Sequence, residues 1–474
     1  KTPNRLISGL IAPGAPNLGI MLPYTPLHHL LLEPFTALVM TSANQVDEPI
    51  CIGNREALLR LHGIADYFLV HNRDILVRCD DSIAFWASGK PRLMRRSRGF
   101  VPQPLPLKQS CPQVLALGGE LKTAHCILKG NFAFLSPHIG DMETPQARDF
   151  FHESLSLMKR ITETDPSIIA CDLHPAYYST RAARELPSEK IIQVQHHHAH
   201  IASCMADNQI EGDIIGLAMD GTGYGPDGTA WGGEFLIASE TGFKRFGHFQ
   251  SLLLPGGEKA VREPWRIAAS LLKTAYGASW QAKAGHLKVC SDQAQMDLLD
   301  KIIDNRIHSP LSSGLGRLFD GVAALMGLRR TVSFEGQAAL ELEALASGTF
   351  ASPYPFDILR KENEPYRVDT TCVIRAIVDD LTAGRDKADI AASFHATLID
   401  IFAAMAKKMR EATGLNRVVL SGGCFQNRIL LEGGIDRLTK DGFEVYSHSQ
   451  VPTNDGGISL GQAVIAAAMI KKGI

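Results

Sequence analysis

The stretch VQHHHAHIASC, Val194 to Cys204, places four of the chain's 17 histidines within five positions: His196, His197, His198 and His200. If a strand ends at Val194 and a helix begins there, His196 and His200 stand at i and i+4, on one helix face. Two imidazoles one turn apart can hold a single ion, as in helical zinc proteases, although the glutamate of HExxH is missing here. His197 points elsewhere on such a helix, so only part of the cluster can converge. Taken alone, the pair reads by default as solvated or capping histidines, and support for a metal must come from other parts of the chain.

Two carboxylates supply that support. Asp220 ends the apolar run IIGLAMD, where burying a carboxylate is costly unless a cation or hydrogen-bond donors compensate. Asp455 lies in VPTNDGGISLGQA, a polar glycine-rich turn before an apolar helix, where the plain alternative is an N-cap. Two imidazoles and two carboxylates form a normal ligand set for Fe(II), Mn(II) or Zn(II). If two lobes face one another, His196, His200, Asp220 and Asp455 can meet around one ion.

Glycine-rich turns are the second chemical signal. Backbone N–H groups uncovered by glycine make anion-binding nests. Gly118 and Gly119 open GGELKTA, with Lys122 at the tip, where an ammonium can reach a phosphate or simply be solvated. GTGYG, starting at Gly221, is not GxGxxG, and it leads into another glycine turn and a strand, which argues against a dinucleotide-binding fingerprint. No GxxxxGK[ST] occurs, so a P-loop is excluded. Gly422 and Gly423 follow the strand-like RVVLS and precede a helix, whose N-terminus would stand behind a bound ligand.

These residues need a scaffold, and the pattern suggests one. Residues 114–136 and 214–239 each read as strand, glycine turn, strand, turn, strand, followed by helical sequence. A duplicated opening of this kind predicts a two-lobed, ribonuclease-H-like phosphotransferase fold whose lobes clamp a nucleotide. Residues 258–346 read as mostly helical, 394–412 as a long amphipathic helix, and 417–438 as strand, Gly-Gly turn and helix. Before them, the proline-rich 99–113 predicts an extended linker. The front unit carries two strand-like runs, TALVMTSAN and YFLVHNRDI. The expected division is a front domain at 1–106, a linker at 107–113 and a two-lobed domain at 114–474.

Composition narrows the partners. A net charge of −2 gives no long-range attraction for nucleic acid or anionic membrane, so phosphate binding must be local. No run of about 18 apolar residues and no secretory leader is found, and no membrane contact is expected. The nine cysteines are scattered without a CxxC, which predicts reduced thiols and a cytoplasmic setting.

In this order, VQHHHAH, MDGTGYGPDGTAWGGE, REPWRIAA, GRLFDGVAALMGL, FEGQAALELEALA, SGGCFQNRIL and PTNDGGISLGQA resemble the HypF family of carbamoyltransferases, which act in maturation of nickel–iron hydrogenases. The likeness runs over essentially the whole chain. It implies an α+β YrdC-like front domain and an α/β back domain of the ribonuclease-H-like, actin-like class, similar to the tRNA threonylcarbamoyladenosine transferase TsaD. It implies a front domain that makes carbamoyl-adenylate from ATP, with Mg(II), and carbamate released from carbamoyl phosphate. The back domain would pass the carbamoyl group to the C-terminal cysteine thiolate of the partner HypE.

Carried onto this sequence, the resemblance makes His196, His200 and Asp220 ligands of one divalent metal, Fe(II) or Zn(II). Asp455 or its neighbour Asn454 completes the set, with Asp455 favoured because an anionic oxygen binds a hard cation better than an amide does. Asp320, Gly336 and Asn427 fall at positions that hold the adenosine of ATP or AMP, and Glu341 of FEGQAALELEALA is a further cofactor-binding candidate. Lys122 becomes a phosphate and catalytic candidate, while His197 and His198 would orient ligands or substrate. In the front domain, Thr41, Ser42 and Asn44 of TSAN, and Arg96 and Arg98 of MRRSRG, resemble nucleotide-binding stretches. Cys424 is expected to be a packed side chain, since the acceptor thiolate arrives on the partner.

The family's acylphosphatase-like domain, its zinc-finger pair and the lysine-rich opening of its YrdC-like domain have no counterpart here, so the chain is expected to be part of a longer protein. The rival readings are a tRNA-modifying transferase, a small-molecule O-carbamoyltransferase and an Hsp70- or actin-like nucleotide switch. The last would not need the His/His/Asp/Asp set.

Overall fold

The computed structural model describes residues 8–474 except 13, 16, 47 and 291. In the front segment, the one ladder among the described residues is the antiparallel hairpin β1 (Ile83–Ala87) and β2 (Lys90–Arg95). The runs at 36–44 and 67–75, expected as strands, are not strands. Their apolar residues stay exposed, Val39 at 75% and Leu69 at 76%, and a strand exists only where a neighbouring backbone answers its N–H and C=O groups.

The expected linker is also corrected. Residues 107–113 lie inside a strand, β3 (Leu105–Ala116), paired antiparallel with β4 (Cys126–Leu135). The ladder shifts register between Pro106 and Cys111 and again between Cys111 and Val114. Prolines lack the donor that a regular ladder requires, and bulged positions accommodate them. β4 is likewise continuous through Gly130, where a turn and a further strand are expected from the sequence.

The first lobe is completed by β5 (Ile168–Asp172) and β6 (Lys190–Val194), in the order β4-β3-β5-β6, with β3, β5 and β6 parallel. The second lobe repeats the plan. Its antiparallel β7 (Ile214–Tyr224), β8 (Ala230–Ser239) and β9 (Gly242–Phe249) are joined at the other side of β7 by two later parallel strands. Between them in the chain come the short β10 (Leu252–Leu253), β11 (Leu311–Ser312), β12 (Asp357–Leu359) and β13 (Tyr366–Asp369). The parallel pair itself is β14 (Arg417–Ser421) and β15 (Glu444–Ser447). The central order β9-β8-β7-β14-β15 is the ribonuclease-H-like arrangement predicted from the duplicated glycine turns.

Helices cover the second sheet between residues 258 and 346, and Lys387–Thr413 runs through the main core with Phe394, Leu398, Phe402 and Met405 buried. That 27-residue helix is apolar enough to cross a membrane, yet 67% of its apolar window is buried against its own fold. It is a core helix.

Two other helices position the candidate site. His196–Asp207 carries buried residues from His196 to Met205 on every side, as a helix packed on all faces must. It is wedged against the C-terminal helix Ile458–Lys471 and against β7 and β14. The two helices cross at Gly461, where an added Cβ would lie 1.8 Å from the carbonyl oxygen of Ala199. Because that obstacle is backbone, a side chain there must push the helices apart. Gly461→Ala is therefore expected to destabilise the protein by about 1–3 kcal/mol through overpacking. The gain in helix propensity, about 1 kcal/mol, does not offset this. Denaturant unfolding with an unchanged or raised midpoint would contradict the close crossing.

Candidate functional site

The helix that carries the histidines starts where Gln195 caps it, its side-chain oxygen accepting from His198 N at 2.9 Å. One turn then brings the rings of His196 and His200 to 5.0 Å, both fully buried. Asp220 arrives from β7, and Asp455 from the single turn Asp455–Gly457 that leads into the C-terminal helix. One ligand atom from each of the four lies within 4.8 Å of every other. His196 Nε2 and His200 Nε2 stand 3.3 and 3.1 Å from Asp220 Oδ2, and 3.8 and 3.6 Å from Asp455 Oδ1. Ligands bound at about 2.0–2.3 Å to a shared ion are at most about 4.6 Å apart, close to the observed spread.

The surroundings fit a cation. His196 Nδ1 donates to Asp172 Oδ2 at 2.9 Å, from the end of β5, which turns Nε2 toward the cluster. A carboxylate behind a ligating imidazole is the usual way such a ring is oriented. Asp220 Oδ1 accepts from the backbone N–H of Gly221 at 2.8 Å and of Gly423 at 3.2 Å. Burial would push the His196 pKa down, but the carboxylates of Asp172, Asp220 and Asp455 outweigh it and hold the imidazole well above its usual range. Burial would push the Asp220 carboxyl up, and the two imidazoles instead hold it well below the carboxylate range. Two carboxylates this close repel each other unless positive charge lies between them.

Of the two alternatives for the last position, Asp455 faces the imidazoles. Asn454 turns away, its Oδ1 accepting from Gly456 N at 3.0 Å and its Nδ2 donating to Met94 O at 3.1 Å. His198 also departs from expectation. Its Nε2 lies 2.7 Å from Ser239 O and its ring packs on Phe243, so it faces β8 and not the cluster. Helical rotation between His196 and His198 is the reason. His197 stays beside the cluster, with its ring 5.3 Å from that of His196 and its buried Nε2 without a partner. Burial pushes its pKa well below the usual value.

The glycine turns border the same centre. Gly118, at φ +83°, is fastened to the C-terminal helix by Gln462, which accepts from its N–H and donates to its carbonyl. A Cβ on Gly119 would sit 3.5 Å from Asp455 Oδ2, one on Gly221 3.5 Å from the Arg317 guanidinium, and one on Gly423 2.9 Å from Asp220 Oδ1. Gly422, at φ +103°, crosses directly over the backbone of Met219. Lys122 sits at φ +49°, and its ammonium pairs with Glu335 of the opposite lobe. In the second lobe, Asp320 is ion-paired with Arg317 at 2.9 Å, and burial pushes its carboxyl up to about 6. Gly336, at φ +75°, starts the helix Gln337–Ala346.

Other candidates already hold partners within the protein. Asn427 caps the helix Arg428–Lys440 through Leu430 N and donates to His395 Nε2 at 2.9 Å. Glu341 holds Arg329 in an ion pair at 2.7 Å. The N-terminus of Arg428–Lys440, expected to face a ligand, is already met by Glu343, whose Oε1 accepts from Arg428 N at 2.7 Å. Burial pushes the Glu343 carboxyl up to about 7. Neither His395 nor Glu343 carries a spacing signal in the sequence, since each works through a residue distant in the chain. Cys424 is half-buried, and burial pushes its thiol well up.

In the front segment Thr41 and Ser42 are exposed, and the Asn44 amide donates to Gln45 O at 2.8 Å. Arg98 pairs with Asp81 at 3.2 Å. Arg96 is not free to meet a nucleotide. It is buried and donates to the carbonyls of Gln450 and Gln103, because it lies where the front segment meets the back lobes.

Comparison with known proteins agrees with this architecture. Residues 216–462 match the family described as carbamoyltransferase, Kae1-like domain, second subdomain, and residues 109–207 match the HypF Kae1-like domain. Residues 1–97 match the Sua5–YciO–YrdC family, described as telomere recombination. The chain is 40% identical over 499 residues to carbamoyltransferase HypF2 of Cupriavidus necator, covering 96% of this chain and 61% of that protein. It thus spans about six tenths of the length of such curated relatives. A carbamoyltransferase HypF homolog of the same organism is 36% identical over 376 residues, covering 77% of this chain and 94% of that protein. A crystal structure of full-length HypF in its phosphate- and nucleotide-bound form superposes with a TM-score of 0.93 at 44% identity, covering 97% of this chain and 72% of that one. With its YrdC-like front segment followed by both Kae1-like parts, the chain belongs to the HypF family.

Proposed function

We propose that this chain carries out an ATP-dependent carbamoyl transfer, in which a carbamoyl-adenylate made by the front domain is consumed in the cleft of the back domain. The observation that carries this reading is the four-donor cluster of His196, His200, Asp220 and Asp455, placed between glycine turns of the two lobes. A bound Fe(II) or Zn(II) ion there would act as a Lewis acid toward a phosphoryl oxygen.

The chain's own groups account for the rest. The glycine turns at Gly119, Gly221 and Gly423 place no side chain beside the cluster and so leave room there for a phosphate. Lys122 supplies a positive charge at the rim once it leaves Glu335. Asp320, Gly336 and Asn427 form the far side, where the adenosine would lie. The acceptor is the C-terminal cysteine thiolate of HypE. Its sulfur bonds to the carbamoyl carbon, the bond from that carbon to the phosphate oxygen breaks, and AMP leaves with the electron pair. No nucleophile of this chain is required, and Cys424, held as a thiol by burial, is not one. The nine cysteines are all unpaired, which favours a reducing cytoplasmic compartment.

The two halves should fail differently on substitution, with both variants assayed at the full length of their HypF relatives. His200→Ala should remove the bound metal and abolish carbamoyl transfer to the HypE cysteine, while leaving carbamoyl-dependent ATP–pyrophosphate exchange largely intact. Asn44→Ala should lower that exchange by weakening nucleotide positioning. Metal analysis with both assays checks this, and the opposite pattern would refute the division of chemistry between domains. Asp320→Ala should weaken AMP or ATP binding at least tenfold without unfolding the protein. Calorimetry showing unchanged affinity would remove Asp320 from the nucleotide cleft.

A further inference from the structure

The turn that delivers Asp455 is not held by its own lobe alone. Residues 447–454 run from the end of β15 to that turn, and β2 of the front segment lies alongside them. Three successive carbonyls of this loop each accept from the front segment: His448 O from Arg92 Nη1, Ser449 O from Leu93 N at 3.2 Å, and Gln450 O from Arg96 Nε at 3.2 Å. Arg92 also donates to Ser447 Oγ at 2.9 Å, and Asn454 returns a bond to Met94 O at 3.1 Å. Both arginines are buried, at 5% and 6% exposure, so these bonds are not exchanged freely with water. From the other side, Asp207 accepts from the N–H groups of Ser449 and Gln450, at 2.7 and 3.2 Å. The loop is clamped between the two domains, and Asp455 is the next residue after the last clamped position.

The same contact reaches the histidines. His448 Nε2 lies 2.7 Å from Ser421 Oγ, and that hydroxyl donates to the carbonyl oxygen of His200 at 2.8 Å. A buried hydrogen-bonded chain thus leads from Arg92, through the backbone and ring of His448 and through Ser421, to the backbone of a cluster residue.

We infer that β2 of the front domain is a built part of the metal centre, with Arg92 and Arg96 as positioning residues that hold the loop bearing Asp455 in register with His196, His200 and Asp220. The inference rests on the proposed metal role of that cluster. Its consequence is that docking of the front domain and completion of the ligand set are one structural event. A back domain without its neighbour would present three ligands and a loosened fourth.

The test uses the whole chain and Mn(II) alone, followed by the loss of the free-ion signal in electron paramagnetic resonance. The variants are Arg92→Met, Arg92→Lys, Arg96→Met, Asn454→Ser and Asp455→Ala. Asn454→Ser keeps an oxygen that can cap Gly456 and removes only the donor to Met94. Arg92→Met, Arg96→Met and Asn454→Ser should bind Mn(II) about tenfold more weakly, the lower end of what loss of an outer supporting group costs. Arg92→Lys should recover part of that loss. Hydrogen–deuterium exchange should quicken over 449–457 in the same variants. Should Arg92→Met fail to fold, Asn454→Ser and the exchange measurement decide.

Unchanged Mn(II) affinity and unchanged exchange in Asn454→Ser and Arg96→Met, with affinity lost in Asp455→Ala, would overturn the positioning role while leaving the metal reading in place. No Mn(II) binding by the unaltered chain would instead refute the metal reading, and the exchange data would still show whether β2 holds the loop.

Discussion

Two carboxylates and two imidazoles with ligand atoms within 4.8 Å of one another, all buried but the half-buried Asp455, impose the strictest condition on this structure. Charges of that kind are costly away from water unless each is answered, and the fold answers them in layers. Asp172 stands behind His196, the N–H groups of Gly221 and Gly423 meet Asp220, and Gly423 occupies a position where a side chain would intrude on Asp220. Much of the rest follows from the need to bring these groups together. The histidine helix is buried on every face because it must lie between the lobes. The C-terminal helix crosses it on Gly461 because the turn bearing Asp455 has to reach His196 and His200.

The same condition ties the domains together. Asp455 is only as well placed as the loop before it, and that loop takes its support from both the back lobe, through Asp207, and the front segment, through Arg92 and Arg96. The side of the back domain proposed for the nucleotide shows the opposite economy. Asn427, Glu343 and Glu341 are engaged in caps and ion pairs, so those bonds hold the cleft wall in shape without a ligand. Lys122 and Glu335 pair across the lobes, and a phosphate would have to compete for that ammonium.

Much of this was legible in the residues. The spacing of His196 and His200 places both on one face of any helix, because the helical period is a local property of the backbone. The two glycine-turn openings implied paired lobes, since strand, turn and strand are set by near neighbours in sequence. Asp220 at the end of an apolar run announced a buried carboxylate in need of compensation. The front runs at 36–44 and 67–75 were misleading because an apolar run marks a surface that can pair, and pairing depends on a partner strand that local pattern does not contain. The segment 107–113, within the proline-rich stretch 99–113, misled for the converse reason, since a bulged strand tolerates residues that forbid a regular one.

What the sequence by itself determined is therefore the chemistry on offer: which residue types recur at helical spacing, where glycine frees the backbone, and where a charge is committed to an apolar strand. Only the tertiary structure decided which of those groups meet. It chose Asp455 over Asn454 because one faces the imidazoles and the other caps its own turn and reaches Met94. It turned His198 away and kept His197 beside the cluster, and it made Arg96 a brace between domains. The physical reason is the same in each case. Periodicity and propensity act over a few residues, whereas the partner that satisfies a buried polar group is selected by packing between segments hundreds of residues apart.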